Sequence, residues 1–341
     1  MMKKGFRSLL FVFIFWVIAF NSYCQKELEL LQASEKGDSL KVVELLNEGA
    51  NPNTAYTDGE TALMLACRGN FSSIVKALVD RGALINTFSE SNHSALLYVV
   101  ARGNLDLTKY LVSKGADARK DGAELLIIAS NRSHNAVLKF LIEDLKINVN
   151  SRTDEGNYSL IAAVVGGNIT VVRYLIDKGA DLNLKNDTKT ADYRNLDLYG
   201  TPLIHAVIGS KFNIVKLLVD TGANINIKTN SGYSALMLAI ILNKFDIARY
   251  LIDKGADVND QDANGYSALM QAAIQVKFDL VKYLVEKGAD INRPNSKGKT
   301  ILDVLEVQAN IQKQFDDKGV YKMTKMIMKY LEEKGAVFSG K

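Results

Sequence analysis

A dipeptide that returns on a fixed period constrains this chain more than any other feature. Gly-Ala, followed two residues later by an apolar residue or Pro and then often Asn, recurs at Gly49, Gly82, Gly115, Gly179, Gly222, Gly255, Gly288 and Gly335. The successive spacings are 33, 33, 64, 43, 33, 33 and 47 residues. The interval of 64 holds one degenerate repeat, with its helices in residues 129–142 and its tail at 148–150. The intervals of 43 and 47 are one period plus insertions of about 10 and 14 residues, at 186–199 and 306–323. A period of roughly 20 to 50 residues marks a repeat architecture, in which each unit buries its apolar face only against its neighbours.

The same physical script runs inside each period. A turn such as Asn230-Ser231-Gly232 or Ala263-Asn264-Gly265 leads to Ser or Thr, whose hydroxyl can accept backbone N–H bonds at a helix start. A short apolar helix follows, as in the six residues from Ala235 to Ile240. A second helix then carries apolar residues at helical spacing, for example Ile214, Val215, Leu217 and Leu218. Gly ends it, because the residue past a helix C-terminus commonly needs positive φ.

These residues resemble the ankyrin repeat. Thr201-Pro202-Leu203 with Ala206, Ser267-Ala268-Leu269 with Ala272-Ala273, and Gly255-Ala256-Asp257-Val258-Asn259 carry the likeness, and Thr61, Ser94 and Ser234 open further copies. The likeness covers roughly residues 28–338. It departs at the family's histidine position, which holds Met64, Leu97, Ile127, Ile161, Ile204, Met237 and Met270, so packing there leans on apolar contact. The resemblance implies an all-α solenoid of about nine helix-turn-helix units with short hairpin-like turns and no internal boundary. Residues 28–54 form the first capping repeat, 55–299 the central repeats with the 186–199 insertion, and 300–338 the last capping repeat with the 306–323 insertion.

Residues 1–24 have the pattern of a secretory signal: Lys3, Lys4 and Arg7, the apolar run Leu9 to Phe20, then Ser22 and Cys24 before a cut that leaves Gln25 first. The apolar run is shorter than the roughly 20 residues a bilayer core requires, which argues against a lasting anchor. Lipidation at Cys24 is an alternative, although Asn21, Ser22 and Tyr23 lack the usual small, Leu-led context. Without the leader's three cations the chain has 39 basic and 38 acidic residues, a balance that argues against nucleic acid as partner. The expected location is a bacterial periplasm or the cell exterior, in preference to a eukaryotic secretory route. The mature chain keeps one thiol, Cys67, so no internal disulfide forms.

Catalysis requires convergent groups, and the three histidines and single mature cysteine fall in different repeats. His205 sits in a core helix as a satisfied imidazole, His93 and His134 are expected to face solvent from turns, and Cys67 takes a small buried position. Asp260, Asp262, Asn264 and Gly265 imitate the start of a calcium loop, but Gln271 stands where the closing Glu belongs, so a plain inter-repeat turn is expected. No cofactor, metal or catalytic residue is assigned.

Family resemblance implies partner binding on turn tips and on the exposed face of the first helices. The column after the Ala-Ala pair runs Arg68, Ala101, Asn131, Val165, Ile208, Ile241, Ile274, turning apolar toward the C-terminal half. Ile208, Tyr233, Ile241, Leu242, Tyr266 and Ile274 are therefore expected to line a groove for another protein, and Tyr193 and Arg194 of the first insertion are a second candidate. The expected function is a non-enzymatic, monomeric protein-interaction module; the alternative is a protector or inhibitor of one enzyme or toxin in the same compartment.

Overall fold

The computed structural model describes residues 25–186, 200–315 and 318–340. These residues are helical apart from turns, with three isolated antiparallel bridges, Ala55 with Thr61, Arg152 with Tyr158 and Gln261 with Ser267, as the hairpin-like turns. They divide into two compact units, one up to Ser151 and one from Arg152.

The first unit contains α1 (25–36), α2 (Ser39–Asn47), α3 (Ala62–Arg68), α4 (Ser72–Asp80), α5 (Ala95–Arg102), α6 (Leu105–Ser113), α7 (Gly122–Asn131) and α8 (Asn135–Lys139), which runs on as a π turn over Phe140–Asp144. The second contains α9 (Ser159–Gly166), α10 (Ile169–Asp177), α11 (Pro202–Ile208), α12 (Phe212–Asp220), α13 (Ala235–Ile241), α14 (Phe245–Asp253), α15 (Ala268–Ile274), α16 (Phe278–Glu286), α17 (Ile301–Gln314) and α18 (Lys318–Glu333). Within each unit, first helices pack on first helices: α3 on α5 and α5 on α7, then α9, α11, α13, α15 and α17 in succession. Each first helix also packs on the second helix that follows it, as α13 does on α14.

Local chemistry accounts for each element. Thr61, Ser94, Thr201, Ser234 and Ser267 are N-caps in extended backbone, each accepting from the amide three residues on. At the other end of each hairpin, Gly takes φ between 83° and 102°. The following Ala then donates its N–H to a carbonyl five residues back, as Ala223 does to Leu218 and Ala289 to Leu284 at 2.9 Å. This closure satisfies carbonyls the helix would leave orphaned, and the small Ala fits the buried place beside it. In the degenerate repeat Lys146 occupies the Gly position at φ 57° and Ile147 the Ala position. The positive φ survives there without glycine, and after the π turn Ile147 N donates to the Leu141 carbonyl, six residues back, at 3.1 Å.

Successive repeats are clasped by asparagine. Asn259 accepts from the Asp290 amide at 2.6 Å and donates to the Gly288 carbonyl at 3.1 Å. Asn53, Asn86, Asn183, Asn226 and Asn292 accept from Leu84, Asp117, Asn224, Asp257 and Val337 in the same way. The clasp holds across both insertions, since Asn183 reaches Asn224 and Asn292 reaches Val337. Turn tips are linked as well: Ala263 N donates to Ser231 O and Ser296 N to Asn264 O, at 3.2 and 3.0 Å. A Cβ on Gly265 would lie 2.4 Å from Ser296 N, so that turn needs glycine both for its φ of 77° and for the close approach.

The insertion at 306–323 lengthens helices. α17 has 14 residues and α18 has 16, against 7 and 9 in α15 and α16. Seven residues are close to two turns, so each helix grows without rotating its buried face.

Candidate functional site

In the second unit the apolar column lies at the C-termini of the first helices. Ile208, Ile241 and Ile274 are the last residues of α11, α13 and α15, and Leu242 is the C-cap of α13. Tyr233 and Tyr266 directly precede the capping Ser234 and Ser267 at the opposite ends of α13 and α15. All six side chains are half-buried. A rise of 1.5 Å per residue makes Ala235 to Ile241 span about 9 Å, with Tyr233 two residues beyond the helix start. Between Tyr233 and Ile241, Ala235 to Ile240 are buried along the whole of α13. The six residues therefore form two parallel margins, tyrosines on one and aliphatics on the other.

Hydrogen bonds fix the spacing of the aliphatic margin. Gln275 Nε2 donates to the Ile240 carbonyl at 3.1 Å, and Gln308 Nε2 to the Ile274 carbonyl at 2.7 Å. α13 and α15 thus each have a C-terminal carbonyl satisfied by the next repeat. Val307, one period beyond Ile274, extends the row and is 61% exposed; Ile311 and Phe315, four and eight residues further along the helix, are 50% and 78% exposed. Helical spacing puts these three on one face of α17. Sequence reading missed them because the column was ended at Ile274, although the period itself points to Val307.

Tyr193 and Arg194 lie outside the described residues. What is described is where the insertion is rooted: buried Asn186 accepts from Gly200 N at 3.0 Å and from His205 Nε2 at 3.1 Å. His205 is the satisfied core imidazole expected from its position. Burial lowers its pKa to about 4, so it is neutral at ordinary pH. The calcium-like turn is occupied internally: Asp262 Oδ1 accepts from the Asn264 and Tyr266 amides at 2.9 Å, and Asp260 pairs with Lys228 at 2.7 Å.

The same columns carry charge in the first unit. Arg68 donates to Glu60 at 2.6 Å and to Glu35 at 2.9 Å; Tyr98 donates to Glu60, and Tyr56 donates to Glu35 at 3.4 Å. Glu60, only 8% exposed, owes its burial to these donors. Burial first, then the Glu60 hydrogen bond and charge, push the Tyr98 hydroxyl up to about 12. His93 and His134 are corrected by this environment. Both are half-buried, His93 Nδ1 lying 3.2 Å from the Tyr98 hydroxyl and His134 Nε2 3.1 Å from the Ala101 carbonyl. His93 is drawn off the solvent by a partner in its own repeat and His134 by one a repeat away. Cys67 is fully buried, and burial pushes its thiol far up, which removes thiolate chemistry at ordinary pH.

Two protein families match the chain. "Ankyrin repeats (3 copies)" covers residues 30–121, 96–186 and 188–262, and "Ankyrin repeats (many copies)" covers 251–305. Alpha-latrocrustotoxin-Lt1a of Latrodectus tredecimguttatus is 37% identical over 117 residues, 33% of this chain and 8% of the toxin. YahD, a protein of Escherichia coli (strain K12) named for its ankyrin repeats, is 30% identical over 166 residues, 46% of this chain and 82% of YahD. The chain spans 8% or less of the lengths of alpha-latrocrustotoxin and of two Caenorhabditis ankyrin repeat and KH domain-containing proteins. Among solved structures, the human ASB11 ankyrin repeat domain superposes with a TM-score of 0.57 at 24% identity, covering 67% of this chain and 97% of that one, a likeness of fold.

Proposed function

The chain belongs to the ankyrin-repeat family, and on that premise we propose that its second unit holds a protein partner along the aliphatic margin of its first helices. Ankyrin repeats are protein-interaction modules, and this chain has the family's scaffold. The observation that carries the reading is the uninterrupted apolar row of Ile208, Ile241, Ile274 and Val307, one side chain per repeat. Apolar side chains held half-exposed in register are a ready hydrophobic anchor, and the tyrosines supply the opposite margin. Its mechanism is shape and apolar complementarity on a preformed surface, without chemistry. Among the described residues no helix is long and apolar enough to cross a membrane.

The apolar run from Leu9 to Phe20 behind Lys3, Lys4 and Arg7 supports export, so we place the protein's action outside the cytoplasm. The test pairs fractionation with mutation. Wild-type protein should begin at Gln25 and retain a partner in the extracytoplasmic fraction, and Ile241→Asp with Ile274→Asp should lose that partner while keeping native helicity. An unprocessed N-terminus would defeat the export reading, and a partner retained by the double variant would defeat the surface. One stoichiometric partner favours a protector or inhibitor; several favour a scaffold.

A further inference from the structure

A second surface lies on the edge where first helices turn into second helices. The two extra turns of α17 and α18 run past the turn that joins α15 to α16, by about 10 Å. Met323, from this overhang, closes a groove of about 440 Å³ with Phe245, Val276 and Phe278. One repeat earlier a hollow of about 310 Å³ is lined by Phe212, Lys244 and the same Phe245. The spacing of packed helices separates the two hollows by about 10 Å. Their aromatic walls come from one position of the repeat, because Phe212, Phe245 and Phe278 each open a second helix.

Cations outnumber carboxylates in the lining of the two hollows, with Lys277 and Arg249 beside Asp279 in one and Lys244 beside Asp246 in the other. Lys277 rests over the Phe245 ring at 5.1 Å and Arg249 over Tyr283 at 5.0 Å. Asp246 and Asp279 stand in the first turns of α14 and α16, where the helix dipole already favours them. Val276 has φ 60°, a left-handed backbone that its branched side chain opposes. The equivalent turns carry Ser210 and Asn243, polar residues that adopt φ near 60° with less strain. At the groove, therefore, the fold keeps an apolar residue where a polar one would fit the backbone better.

We propose that this edge docks an acidic amphipathic helix of a partner protein, its two large apolar side chains seven residues apart filling the two hollows and its carboxylates facing Lys244, Lys277 and Arg249. Seven residues of helix rise about 10 Å, matching the spacing of the hollows. This surface adjoins the aliphatic margin, Val276 following Ile274 by two residues, but its lining shares no residue with that margin, so each is tested by its own substitutions.

The probe is a fluorescein-labelled helical peptide with Leu at two positions seven residues apart and Glu at the flanking exposed positions, titrated with the full chain. Its counterpart carries Lys for every Glu. The acidic peptide should bind and the basic one should not, and raising salt to about 0.5 M should weaken binding several-fold. Met323→Asp and Phe245→Ala should each weaken it about tenfold, while Ile241→Asp leaves it unchanged. Val276→Asn should weaken binding several-fold while raising the melting temperature, a combination that unfolding does not produce. Absence of acidic-peptide binding, equal binding of both peptides, or indifference to Met323→Asp and Val276→Asn would overturn the proposal. So would Met323-dependent self-association, or binding of phosphatidylglycerol vesicles in place of the peptide.

Discussion

His205 ties one side chain to the pH response of its unit. An unfolded histidine takes up a proton near pH 6.5, whereas the buried imidazole resists protonation down to about 4. Its contribution is therefore complete above pH 6.5 and is lost as pH falls toward 4, a change on the order of 3 kcal/mol. His205→Gln keeps an N–H donor for Asn186 and should flatten that part of the stability profile, which urea unfolding at pH 7.5 and pH 5 would measure. Asn259→Ala breaks two inter-repeat hydrogen bonds and should cost about 1 to 2 kcal/mol in the same assay. Val276→Asn should stabilise by about 1 kcal/mol, because it relieves a left-handed valine. The first of these residues was legible in the sequence as a satisfied core histidine. The strain at Val276 was not, since φ at a turn follows from how the two flanking helices are packed. Nor was the Glu35–Arg68–Glu60 network, whose partners meet only once neighbouring repeats stack side by side.

At the scale of the helix, sequence and structure agree wherever one residue type has one physical job. Ser and Thr cap the first helices, Gly and Ala close the second ones, and both appear where the period puts them. Ser234→Ala should cost about 1 kcal/mol by leaving the Met237 amide without its acceptor, readable as a lower urea midpoint. The degenerate repeat is legible only from the 64-residue interval, because Lys146-Ile147 replaces Gly-Ala while Lys146 keeps the glycine's positive φ. The candidate margins were legible as positions and incompletely legible as a surface. Periodicity assigns Ile241 to a helix end, but the closure of α13 between its two margins depends on side chains contributed by other repeats.

Across the whole chain, stability in a stacked array is a sum of repeat and nearest-neighbour terms, so damage spreads only as far as the stack that shares it. Leu305→Ala, at a fully buried position of α17, should cost about 2 to 5 kcal/mol and raise hydrogen exchange in the second unit, leaving protection of α3 to α5 in the first unchanged. The sequence was read as one uninterrupted array because the period passes through residue 151 without a linker signal such as a Pro-rich or Gly-rich stretch; the division into two compact units is a property of contacts that the period does not encode. The lengthened last hairpin shows how such an array can change its outline. Growth by near-integral turns leaves every core residue pointing where it did, so heptads spliced into both helices of an inner repeat would raise a matching parapet, and the ledge beside Phe245 would become a walled channel whose depth is chosen by counting residues.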